Sequence, residues 1–158
     1  MNTTRVRLLI SSVMVVGLFA LAGCAESTEP EAEGGMTGYI ASERDAQLEI
    51  DQEQASSSML TVDRVKAPEN AWIVVHLDDD GMPGDRVGLQ PIDEGESEDV
   101  SVQLDNVTTE NVIVAVHADR GEEGEFEFDG DDMAGSPDKP FFVNGEELAK
   151  VVPVPAAQ

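Results

Sequence analysis

The sequence predicts an all-β chain: a Greek-key sandwich, immunoglobulin-like or cupredoxin-like, of about seven strands. Three observations predict it. Short apolar runs recur from about Leu48 to Val154. Gly, Pro, Asn and Asp punctuate them. No window carries the 3.6-residue periodicity of a helix.

The strands follow in order. Leu60-Thr61-Val62 alternates, and Pro68 interrupts. Ala71 to Leu77 is an unbroken run of β-branched and aromatic residues, so Trp72 is expected in the core. Val100, Val102 and Leu104 alternate with Ser101 and Gln103, giving one buried and one wet face. Asn111 to Ala118 repeats the continuous run, and Phe126 and Phe128 alternate with Glu125 and Glu127 as a further strand. Val151 to Val154 closes the set. Pro153 lacks an N–H, which puts that strand at an edge. Gly81, Pro83-Gly84, Glu94-Gly95, Asp129-Gly130, Ser136-Pro137 and Asn144-Gly145 supply the turns.

An internal repeat sharpens the topology. Asn70 to Asp78 lines up with Asn111 to Asp119, and after one deletion Gly81 and Gly84 match Gly121 and Gly124. Each unit reads strand, His, one apolar residue, Asp, then a Gly-rich acidic loop. An alternating strand precedes each. Two similar hairpins facing each other across the sandwich are expected. Any two buried strands look alike, but a shared Asn, His, Asp and two Gly in order go beyond that.

With these residues in view, residues 48–154 resemble an uncharacterised extracellular β-sandwich domain of haloarchaeal and bacterial surface proteins and lipoproteins. Asp51-Gln52, Trp72 to His76, Gly95 to Leu104, and Ala115 to Asp119 with Phe126 and Phe128 carry the resemblance. It implies the fold and an extracytoplasmic location, and no activity.

The N-terminus reads as an address. Arg5 and Arg7 precede an apolar stretch from Leu8 to Leu21. A membrane span needs about 20 apolar residues, so this shorter run fits a signal peptide. It ends in Leu21-Ala22-Gly23-Cys24, which resembles the bacterial lipobox, and Cys24 is the only cysteine. The expected organisation is a lipoprotein signal peptide over 1–23 and an acidic flexible tether over 24–47. The β-sandwich domain follows over 48–154, and a tail over 155–158. Ala25 to Gly38 has almost nothing to bury. Tyr39 and Ile40 are isolated apolar residues that allow a short docked segment. Acyl chains on Cys24 would hold the protein on the cell membrane or outer membrane, with the domain facing periplasm or exterior. The absence of Asp at position 25 permits outer-membrane sorting.

Charge excludes some partners. The chain has 33 Asp and Glu against 9 Lys and Arg, for a net charge of -24. Nucleic acid is repelled, since phosphate binding needs clustered cations. Anionic lipid is repelled for the same reason. A protein or a surface polymer fits better as a partner. Abundant acids, three lysines and few aromatics are also the profile of a salt-adapted protein. One cysteine leaves no intramolecular disulfide and no multi-Cys zinc site.

The candidate chemistry is a metal set. His76 and His117 occupy equivalent places in the repeat, each two residues before Asp78 or Asp119 on the same strand face. Two imidazoles and two carboxylates would suit zinc or copper(II). The plainer alternative is that each ring is hydrogen-bonded to its own Asp or to backbone. A cupredoxin copper centre is disfavoured, because its thiolate is missing once Cys24 is acylated. Asp78-Asp79-Asp80-Gly81 is not an EF-hand loop: with Gly81 sixth, His76 falls first and Val87 twelfth. Calcium held by Asp78 and Asp80, or by Asp129, Asp131 and Asp132, is a separate expectation. Solvated surface charge is its alternative. No nucleophile or phosphate-loop motif occurs, so no enzyme is expected. Asn106-Val107-Thr108 is an N-glycosylation sequon. The expected function is a lipid-anchored extracytoplasmic binding or structural module. The alternative is a metal-binding lipoprotein using His76 and His117.

Overall fold

The computed structural model describes residues 37–155, Ala55 excepted, and of Asp131 the backbone alone. Cys24 and the signal segment lie outside the described residues. Ten strands form in order: β1 (Tyr39–Ala41), β2 (Gln47–Glu49), β3 (Met59–Ala67), β4 (Ala71–Asp79), β5 (Met82–Ile92), β6 (Gly95–Gln103), β7 (Asn111–Ala118), β8 (Phe141–Val143), β9 (Glu146–Glu147) and β10 (Ala149–Pro153). One 3₁₀ turn covers Gly130–Asp132. Seven strands make two sheets, ordered β2-β3-β6 and β10-β7-β4-β5, and a third small sheet is ordered β1-β8-β9.

Alternation builds the core between the two larger sheets. Leu60, Val62 and Val65 of β3 meet Ile73 and Val75 of β4 and Val112, Val114 and Val116 of β7 in one aliphatic cluster. All eight have no exposed surface. Val102 of β6 and Val152 of β10 complete it. β10 lies at an edge, as its proline requires. The sides are drawn together at Gly88, which bridges to Leu104. A Cβ on Gly88 would sit 2.8 Å from the Leu104 Cδ2 atom, so only glycine allows this approach.

Three expectations change. The repeat units are arches, not hairpins. β3 pairs with β6 and β4 pairs with β7, so each unit sends one strand into each sheet. β5 replaces the expected strand at Phe126 and Phe128, which the chain crosses without ladder pairing. β5 opens directly after a two-residue Asp80-Gly81 turn with φ of 53° and 87°, the type I′ geometry. Asn144-Gly145 turns in the same way between β8 and β9. Finally, the end of the expected tether is built into the fold. β1 pairs in parallel with β8, the Tyr39 hydroxyl donates to the Pro137 carbonyl at 2.7 Å, and Arg120 lies 3.6 Å over the Tyr39 ring. β2 pairs with β3. Tyr39 and Ala41 supply the apolar contacts that a solvated tether would lack.

Candidate functional site

The two central strands of the four-stranded sheet, β4 and β7, are buried on both faces for most of their length. This explains why β4 and β7 read as continuous apolar runs. The sheet's outer face carries Trp72, Val74 and His76 from β4, and Ile113, Ala115 and His117 from β7. Of these, Trp72 is 5% exposed and His117 3% exposed. The segment 119–140, between β7 and β8, crosses this face as a strap. Phe126 meets Trp72 edge-on at 5.8 Å and His117 at 5.6 Å, and Phe128 meets His117 at 4.7 Å. Arg86 of β5 lies 5.0 Å over the Phe126 ring.

A buried carboxylate fastens the strap. Asp138 has no exposed surface. Its Oδ1 accepts from the amides of Arg120 at 2.9 Å and Gly121 at 3.2 Å. Its Oδ2 accepts from the amide of Glu127 at 2.7 Å. Three N–H donors satisfy the charge without a cation. Ser136 does the same on a smaller scale: its hydroxyl oxygen accepts from the Asp129 amide at 2.8 Å and donates to the Asp132 carbonyl at 2.9 Å.

Beside this layer lies a cleft of about 570 Å³. His76, His117, Arg86, Phe126, Phe128, Met133 and Glu147 line it, with Pro83 to Asp85, Gly130 and Pro140. The His76 Nδ1 bonds the Gly84 carbonyl and the His117 Nδ1 bonds the Asp138 carbonyl, both at 2.8 Å. A carbonyl only accepts, so each Nδ1 carries the proton and each Nε2 is left as an acceptor. Burial pulls the His117 pKa down to about 4. Burial also lowers that of His76, and the Arg86 charge adds to it. Both rings are therefore neutral at pH 7. Burial pushes the Glu147 carboxyl upward.

Residues 46–154, which hold every lining residue of the cleft, match the family model described as Domain of unknown function (DUF7282). The chain belongs to this family. No curated protein and no solved structure matches it. The DUF7282 match includes the strap, Asp138 and both histidines, while β1 precedes it.

In this DUF7282 domain the expected metal set does not assemble. His76 and His117 line one cleft, but Asp78 and Asp119 serve turns. Asp78 Oδ1 accepts from the Gly81 amide at 2.7 Å, and Asp119 Oδ2 from the Gly124 amide at 3.0 Å. Among the described residues no three His, Cys, Asp or Glu side chains form a metal-holding group. The reason is direction. β4 and β7 are antiparallel, so equivalent repeat positions fall at opposite ends of the ladder. His117 lies opposite Trp72, whereas His76 lies opposite Ile113. Four residues of strand separate their backbones, about 14 Å, although both side chains line the one cleft. Of the residues expected for calcium, the Asp131 side chain lies outside the described residues. Asp80 forms the tight turn, and Asp132 Oδ1 accepts from the Gly135 amide at 3.0 Å.

Trp72 is buried as expected, but under the strap, not between the sheets. Its Nε1 and the Asp119 Oδ1 are buried without a partner among the described residues. Asp138, Arg86 and Glu147 went unforeseen. Asp138 sits within turn chemistry, Ser136-Pro137-Asp138, and no local pattern separates it from the other acids.

Proposed function

We propose that this protein is a lipid-anchored extracytoplasmic binding module whose ligand site is the cleft beside His76 and His117. The cleft itself is the observation that carries the reading. It has aromatic walls in Phe126 and Phe128, two neutral imidazoles whose Nε2 atoms can accept hydrogen bonds, and one cation, Arg86. A small, flat, partly apolar molecule bearing N–H or O–H donors suits that set. Binding without chemistry is the favoured class, because the sequence carries no nucleophile or phosphate-loop motif. The anchor rests on Leu21 to Cys24. Metal binding through His76 and His117 is the second reading, supported by the two open Nε2 atoms in one cleft.

Imidazole nitrogen NMR tests the site. Benzamide, a flat probe with N–H donors, is expected to shift the Nε2 signals of His76 and His117. A response to zinc alone would move the assignment to metal, and silence to both would end the proposal. The anchor is tested in cells. Mature protein should begin at Cys24 and partition with membranes, and Cys24→Ala should leave the precursor. Mature-sized, detergent-extracted protein from that variant would overturn the lipid anchor.

A further inference from the structure

We propose that Asn106 is an N-glycosylation site, carrying an oligosaccharide at the pole of the domain furthest from β1. Asn106-Val107-Thr108 lies in the loop between β6 and β7. Val107 is half-buried and packs against the core, and this holds the loop in place. Asn106 and Thr108, on either side, are both exposed. Asn106 sits at φ 57°, in the left-handed region, at the crest of the turn. Its side-chain amide makes no hydrogen bond among the described residues. By contrast, the Asn70 amide donates to Glu123 at 3.4 Å and the Asn144 amide to Glu43 at 2.6 Å. A glycan needs an asparagine with a free amide nitrogen, a hydroxyl residue two positions on, and open space outside a ladder. Among the described residues Asn106 alone sits in a sequon.

Position adds to this. β7 runs from Asn111, beside the sequon loop, to Ala118. The Ala118 amide donates to the Lys139 carbonyl, and the Tyr39 amide to the neighbouring Pro140 carbonyl. The strand nearest the proposed anchor and the sequon therefore sit at opposite ends of β7, about 24 Å apart along it.

The donor is an oligosaccharide activated at its anomeric carbon as a lipid phosphate or pyrophosphate ester. The Asn106 Nδ2 forms a bond to that carbon while the bond from the carbon to the phosphate oxygen breaks. The lipid phosphate leaves with the electron pair, and one amide proton passes to a base. No oxidant or reductant takes part.

This inference rests on export, and the test separates the two. The full chain is isolated from the organism that encodes it, and its mass and its Asn106 peptide are measured. The expected result is lipid-bearing chain with sugar increments on that peptide, lost equally in Asn106→Gln and Thr108→Ala and kept in Asn111→Gln. Lipid-bearing chain with bare Asn106 overturns the glycan and leaves the anchor standing. A precursor that retains residues 1–23 overturns export, and the glycan with it.

Discussion

The two faces of the four-stranded sheet are buried by different means. The inner face meets the other sheet through Leu60, Val62, Ile73, Val75, Val114 and Val116, all aliphatic and wholly enclosed. The outer face meets a strap without ladder pairing, through Trp72, His117, Phe126 and Phe128. Its fastening is polar, a carboxylate holding three backbone amides. Regular strands close tightly on one another. An irregular segment held by side-chain bonds does not, and the cleft and the Trp72 Nε1, without a partner among the described residues, both lie on that side. Aliphatic packing and the proposed binding cleft are thus divided between opposite faces of one sheet.

Perturbing each face in turn should expose the division. Ile73→Ala removes a fully buried aliphatic group from the inner face, and an expected loss of about 4 kcal/mol follows from cavity formation. Denaturant melts check it, with strap and sheets unfolding together. Asp138→Ala is expected to cost about 3 kcal/mol, since three amides lose their acceptor. Hydrogen exchange should quicken first at Arg120, Gly121 and Glu127. Equal quickening throughout β4 and β7 would show that the strap is no separate layer. Trp72, the only tryptophan, reports the outer face alone, and its emission should redden in this variant before β-sheet ellipticity falls.

Acid should also loosen the outer face selectively. His117 has a folded pKa of about 4, below its ordinary 6.5. The unfolded chain therefore binds the proton more readily. The stabilisation is complete above pH 6.5 and is lost as pH falls from there towards 4, amounting to about 2 kcal/mol by pH 5. Glu147 has the opposite sign. Its raised pKa means that protonation favours the folded state as pH falls. Subtracting the pH profile of His117→Asn, whose amide can replace the Nδ1 donor, isolates the histidine. A difference profile flat from pH 7 to 5 would contradict the burial of His117. The smallest effect on the comparison comes from salt, which acts on both faces alike. Screening shortens from about 30 Å at 0.01 M to about 3 Å at 1 M. The chain carries 33 acids against 9 bases, so its melting temperature should climb with NaCl. A constant melting temperature would refute salt adaptation.

The inner face was legible because a half-buried strand must alternate. Leu60 and Val62 showed it, as did Val102 and Leu104. The unbroken runs at Ala71 to Leu77 and Asn111 to Ala118 gave burial on both sides, but not the cover. Phe126 and Phe128 alternate with glutamates because an extended chain does so whether or not it pairs. β5 was hidden by Pro83 and Gly84, which read as turn residues, and by Gly88 and Pro91, which interrupt any apolar run. An edge strand tolerates prolines that a central one would not. The histidines were recognisable as a pair, but their separation depends on strand direction, which a repeat does not encode. Asp138 acts through backbone amides, and these have no letter in a sequence.

The arches bear on when the chain can fold. Met59 finds Gln103, and Ala71 finds Ala118, so neither large sheet can close on the first repeat unit alone. The β4–β5 hairpin is local, but the interior between the sheets requires both units to be present. Distant pairing of this kind slows folding. A chain emerging in order from its N-terminus would stay without an enclosed interior until β7 is made. For a protein that we propose crosses a membrane, that delay keeps it threadable.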